Sequence, residues 1–283
     1  SGEIYGKIRQ ESNKGIWAQV KGGQETFKGG NSEGDYSDAS VGLLFGFDRY
    51  VESKSLVWGV YGRFSGESIE QGESSADGQK SGLGVYGGYI QEKYEIKGTL
   101  LGSYDIFNTK RYVLGNTAKA DIDALTVIAD VEGALKYQIN EKLNLRPYIG
   151  MEIEDANYGS FKESGAGILD LEVSGGSYIR SAARLGAGVE YEENIFTFYA
   201  KAEGKYLLSA AEPEIESALE GTNETFKSRG AQEGALEIGI GLGVEAKIAS
   251  NLKIYANANY YGANKYENIY GNIGVRYMFG ENE

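Results

Sequence analysis

The sequence predicts an all-β fold: a transmembrane antiparallel β-barrel of about twelve strands, with short periplasmic turns and longer extracellular loops. Three observations carry that reading. Apolar and polar or glycine residues alternate with a period of two from about residue 15 to the end. Glycine (42) and tyrosine (22) are abundant while proline is nearly absent (2), the mixture that many strands, tight turns and aromatic girdles require. The connections between alternating runs are, in order, long and short by turns.

Taken in order, strands are expected at 15–26, 37–49, 55–67, 81–92, 94–107, 121–138, 144–157, 177–192, 195–208, 232–249, 252–262 and 267–279. The second begins cleanly, with Val41, Leu43, Phe45 and Phe47 on one face and Gly42, Leu44, Gly46 and Asp48 on the other. The tenth shows the pattern best. Leu236, Ile238, Ile240, Leu242, Val244, Ala246 and Ile248 alternate with Glu237, Gly239, Gly241, Gly243, Glu245 and Lys247. That run is about 40 Å of extended chain, far longer than a typical soluble strand, and long enough to cross a bilayer at a tilt. Short turns are expected at Tyr50–Lys54, Glu92–Tyr94, Ile139–Leu143, Glu192–Asn194 and Ser250–Asn251. Long loops are expected at 27–36, 68–80, 108–120, 158–176 and 209–231, with a shorter one at 263–266. This alternation puts both termini on the periplasmic side.

Composition removes several function classes. There is no histidine, so Ser-His-Asp and Cys-His catalysis and histidine-based metal sites are excluded. There is no cysteine, hence no disulfide framework. A formal charge of -13 is a poor match for nucleic acid. No run approaches the ~18 apolar residues of a membrane helix. Ser1–Gln10 is polar and lacks an initiator Met and a signal-peptide core, so a fragment or processed form is expected. No enzyme activity, cofactor or metal is expected.

By parity, one set of charges faces the lumen. It includes Glu152, Glu154, Arg180, Arg184 and Lys201, and further along Glu203, Glu237, Glu245 and Arg276. These residues either line a hydrated passage for an extended polypeptide or pair with each other across strands. Glu152 and Glu154 lack any surrounding catalytic motif. Gly150, Gly239, Gly241 and Gly243 are expected to leave room for a helix threading the lumen or to sharpen strand curvature. Trp17, Trp58, Tyr89, Tyr104, Tyr206, Tyr260 and Tyr277 are expected in interfacial girdles.

The last strand presents Ile269, Gly271, Ile273, Val275, Tyr277 and Phe279 on one face. An apolar dyad ending in an aromatic, with Ile273, Val275, Tyr277 and Phe279 at its core, resembles the signal read by the barrel assembly machinery. An exposed apolar strand edge can pair with a machine strand before it meets its own partner.

A family resemblance then follows from several matches in chain order. Gly15-Ile16-Trp17-Ala18-Gln19-Val20 is similar to the opening strand of autotransporter translocator domains. Val41 to Asp48, Trp58 to Gly62 and Gly84 to Tyr89 resemble the next three strands of that family. Leu145-Arg146-Pro147-Tyr148, Arg184-Leu185-Gly186 and Gly274-Val275-Arg276-Tyr277-Met278-Phe279 resemble later ones. The resemblance divides the chain into a linker or pore-helix remnant at 1–14, a barrel at 15–279 and a tail at 280–283. It implies a monomeric barrel in the lipid of the bacterial outer membrane that helps translocate an N-terminal passenger. A small-solute porin of about twelve strands is the alternative, and a surface adhesin acting through its loops is a third. Two departures stand out. Gly280–Glu283 extend past the terminal aromatic, and Asn13 is followed by Lys14, not by the second asparagine of self-cleaving members.

Overall fold

The computed structural model describes residues 14–29, 34–210, 214–222, 224–229 and 236–279. Twelve long strands form the wall. They are β1 (Lys14–Phe27), β2 (Tyr36–Val51), β3 (Leu56–Gln71), β4 (Ser74–Ile90), β5 (Tyr94–Val113) and β6 (Asn116–Leu135). They continue with β7 (Leu143–Tyr158), β8 (Gly176–Glu193), β9 (Phe196–Ala210), β10 (Leu236–Ala249), β11 (Leu252–Gly262) and β12 (Tyr266–Phe279). Each pairs antiparallel with its neighbours in sequence. β12 pairs back onto β1 from Lys14↔Phe279 to Phe27↔Tyr266 and closes the cylinder. Closure satisfies the wall's backbone hydrogen bonds, which hydrocarbon demands. No helix among the described residues is long and apolar enough to cross a membrane.

The two faces of each strand differ as the alternation requires. On β10, Ile238 and Leu242 are 63% and 67% exposed, while Glu237, on the other face, is 2% exposed. The apolar row therefore points outward and the charged row inward, the reverse of a soluble protein. Ile16 and Val20 on β1, Leu43 and Phe45 on β2, and Ile273 and Val275 on β12 continue the outward apolar belt.

Two expected loops are wrong. Residues 68–80 and 108–120 are mostly strand, and their tips are the two-residue turns Gly72-Glu73 and Leu114-Gly115. Leu114 (φ 47°) and Gly115 (φ 84°) are both left-handed, the geometry that matches the twist of a tight hairpin. Two of the other three long loops, 158–176 and 209–231, are partly ordered too. Segments Phe161–Lys162, Leu171–Val173, Glu214–Leu219 and Thr225–Arg229 build a four-stranded sheet at the loop end of the barrel. Lys119 and Ser164 exchange backbone hydrogen bonds of 2.9 Å, and Arg111 Nε donates to Glu163 Oε1 at 2.8 Å, fastening this sheet to the tall β5–β6 hairpin. The rim is therefore raised on the β5–β10 side and low at the β11–β12 turn.

The tenth strand was expected from residue 232. It is described from Leu236, and 232–235 lie outside the described residues, as do 1–13 and 280–283. The first strand starts at Lys14.

Candidate functional site: the barrel lumen and the closing strand

The inner face is lined by tyrosines lying flat on glycines and by ion pairs between alternate strands. A Cβ on Gly59 would sit 2.4 Å from the Tyr86 ring, one on Gly84 2.3 Å from Tyr61, and one on Gly274 2.5 Å from Tyr255. The expected lumen glycines serve the same end. Gly239 accommodates Tyr261, Gly241 accommodates Asn259 and Lys201, Gly243 accommodates Asn257, and Gly150 accommodates the Arg184 guanidinium. Their spacing leaves room for side chains of the wall itself.

The structure brings most of the nine singled-out charges together. Arg184 on β8 pairs with buried Asp130 on β6. Glu203 on β9 accepts from Tyr148 Oη at 2.7 Å and from Tyr261, and holds Lys201 at 3.2 Å. Arg180 meets Glu237 at 3.2 Å, and Lys205 links Glu237 (3.9 Å) to Glu152 (3.5 Å). Glu154 stands opposite Arg180 in the β7–β8 register. Glu245 pairs with Lys253 at 3.4 Å, apart from the rest. Arg276 pairs with Asp48.

Sequence reasoning missed Glu95 and Lys97 of this lining. Glu95 holds Lys97 and Arg146, each at 2.6 Å, and Lys136 at 3.0 Å. Trp17 is a correction. It was expected in a girdle but is 7% exposed on the inner face, where its Nε1 donates to Tyr86 Oη at 2.9 Å. Its neighbours Ile16, Ala18 and Val20 form the outward row, and that parity was the available signal. Trp17, Tyr50, Val57, Tyr61, Tyr86, Ile90 and Leu101 form an apolar cluster inside the barrel, filling the β1–β5 sector. A cavity of about 240 Å³ remains toward the loop end, lined from β1, β2 and β7–β12 by residues including Lys21, Glu25, Glu152, Lys205 and Tyr270. Ile273, Val275, Tyr277 and Phe279 all face outward on β12. Among the described residues no group of three or more acidic, Cys or His residues is arranged to hold a metal ion.

The family model of the autotransporter beta-domain matches residues 16–259. The chain belongs to the autotransporter β-domain family. It is thus a β-barrel of the bacterial outer membrane, a secretion domain by family. The β-domain here is 23% identical over 251 residues to "Outer membrane protein A" of Rickettsia conorii, covering 82% of this chain and 12% of that protein's length. Its fold is similar to the translocator domain of the autotransporter NalP from Neisseria meningitidis (TM-score 0.80, 13% identity, 95% of this chain and 90% of that chain). It is also similar to the β-domain of the Bordetella autotransporter BrkA (TM-score 0.73, 16% identity, 94% and 100%). A third match is the transport unit of AIDA-I from Escherichia coli (TM-score 0.62, 15% identity, 97% and 92%).

Proposed function

We propose that this barrel anchors an N-terminal passenger in the outer membrane and helps it cross. The observation that carries the reading is the two-part lumen. Its β1–β5 sector is filled by the chain's own aromatic cluster, while the polar cavity lies beside β1, β2 and β7–β12. The lining offers charges of both signs and hydroxyls, suited to a hydrated peptide of mixed sequence. The family match favours this over the small-solute porin.

On this reading the barrel is monomeric, acts without a cofactor, and makes or breaks no bonds. The barrel assembly machinery recognises β12 through Ile273, Val275, Tyr277 and Phe279, whose outward apolar row is available before the seam closes.

The test is display of an epitope-tagged passenger fused ahead of Ser1. Protease added to intact cells removes the tag from the parent fusion. Deleting Tyr266–Phe279 abolishes both the heat-modifiable barrel and surface exposure. Surface exposure that persists without β12, or a folded barrel that never displays the passenger, refutes the proposal.

A further inference from the structure

Arg276 on the last strand stands opposite Trp17 of β1 in the closing register. Its guanidinium nevertheless passes over Gly15 and grips Asp48 on β2 through both terminal nitrogens, one at 2.7 Å. The tie therefore spans the seam, from the last strand to the second. Gly15 lets the guanidinium lie close to the β1 backbone. A Cβ there would meet the guanidinium at 3.0 Å from Nη2 and 3.2 Å from Nε. One rung away, Tyr255 Oη of β11 donates to Gln19 Oε1 of β1 at 3.0 Å, a neutral tie across the same seam.

The receiving half of the tie is built entirely from the first four strands. Asp48 is 1% exposed. Its Oδ2 also accepts from Tyr86 Oη at 2.7 Å, and Tyr86 accepts from Trp17 Nε1 at 2.9 Å. Tyr86 in turn lies on Gly59, and Trp17 and Tyr61 pack on it within the luminal apolar cluster. Strands β1–β4 are joined by consecutive hairpin connections, so this carboxylate is placed by local pairing. The cation that grips it comes with the last strand. A buried carboxylate without a counter-ion is strongly unfavourable, and the last strand brings the arginine that relieves it.

We propose that Asp48, Tyr86 and Trp17 form a preassembled socket, and that Arg276 is a positioning residue that latches the closing seam by entering it over Gly15. The latch acts on barrel closure and does not depend on what passes through the lumen.

The chain has no native cysteine, so closure can be timed with introduced pairs. Ala18→Cys with Val275→Cys reports the β1–β12 seam, and Ala187→Cys with Ala202→Cys reports the β8–β9 pairing. The 1–283 chain is refolded into detergent micelles with samples oxidised at intervals and read on non-reducing gels. Arg276→Gln and Asp48→Asn should each slow the seam crosslink at least about tenfold, as suits a buried ion pair losing one partner, while the 187–202 crosslink keeps its rate. Arg111→Gln breaks a two-nitrogen arginine pair in the rim and should leave both rates unchanged. A parental seam rate in Arg276→Gln, or equal slowing of both crosslinks, overturns the latch. If Arg276→Gln forms no heat-modifiable barrel, Arg276→Lys is timed instead, since it keeps the charge but not the double grip. A parental seam rate in that variant also overturns the proposal.

Discussion

An arginine at Leu242 tests the membrane-facing assignment where it is strongest. Leu242 is the middle of seven outward residues on β10, from Leu236 to Ile248, and is 67% exposed. Leu236 lies nearer the raised rim, about 20 Å away along the strand and about 15 Å in depth at the tilt usual for barrels. An arginine at the bilayer midplane costs about 2–4 kcal/mol, and about 0–1 kcal/mol near the interface. Leu242→Arg should therefore be less stable than Leu236→Arg by roughly 1–4 kcal/mol, a population ratio between about fivefold and a thousandfold. The assay is reversible urea unfolding in lipid vesicles followed by tryptophan fluorescence, with Leu→Ala at each site subtracting the lost side chain. Equal costs at the two positions, or a greater cost at Leu236, would refute the claim that this row spans hydrocarbon.

Other expectations follow from the lumen and the rims. Gly59→Ala forces a Cβ against the Tyr86 ring and should lower stability by about 1–3 kcal/mol in the same unfolding assay. Glu203→Leu removes the acceptor of the Tyr148 and Tyr261 hydroxyls, at about 1–3 kcal/mol for each buried group left unpaired, and leaves the Lys201 ammonium only its 3.0 Å contact to Tyr261 Oη among these partners, whereas Glu203→Gln should retain much of the parental midpoint. At the rim carrying the termini, the hydrogen bond to Glu193 raises the Lys142 ammonium above the ordinary lysine value of 10.5. A raised lysine contributes stability that is complete below its unfolded value and is lost as pH climbs through the folded one. Lys142→Met should therefore lower unfolding midpoints slightly at neutral pH, where the ammonium is charged, and the difference, small because the pair is exposed, should vanish at strongly alkaline pH; a difference confined to alkaline pH would contradict the assignment.

The strands were legible where lipid imposes a contrast between faces, and illegible where it does not. β10 reads directly from sequence because hydrocarbon on one side and water on the other enforce the alternation of Leu236 to Ile248. Above the membrane both faces of a hairpin meet water. The outward residues Asn108, Lys110, Asp121 and Asp123 are polar on extended β5 and β6, so the period-two signal vanishes although pairing continues, as with Lys110↔Lys119. The turn at Leu114-Gly115 lacks the Asn-Gly or Asp-Gly signature that would have revealed it. Trp17 was misassigned because an aromatic residue fits a girdle and a lumen equally well. The charges were found by parity, but which pairs with which was not. Arg184 with Asp130, or Arg276 with Asp48, joins strands two apart, and such contacts depend on the register of every strand between.

Those contacts settle a question that alternation leaves open. A slip of one residue between strands would turn every apolar side chain inward, so lipid forbids it. A slip of two residues keeps every side chain on its proper face and keeps most backbone hydrogen bonds. Hydrocarbon cannot tell that barrel from the native one. The luminal ties can: β2 to β4 through Asp48 and Tyr86, β3 to β5 through Tyr61 and Thr99, and β5 to β7 through Glu95 and Arg146. Further round the wall, β6 meets β8 through Asp130 and Arg184, β7 meets β9 through Tyr148 and Glu203, and β9 meets β11 through Lys201 and Tyr261. Each would be broken by a two-residue shift, and each tyrosine would leave its glycine. The charged inner face thus does for this barrel what a packed core does for a soluble domain: it selects one register among several that the outer face would accept.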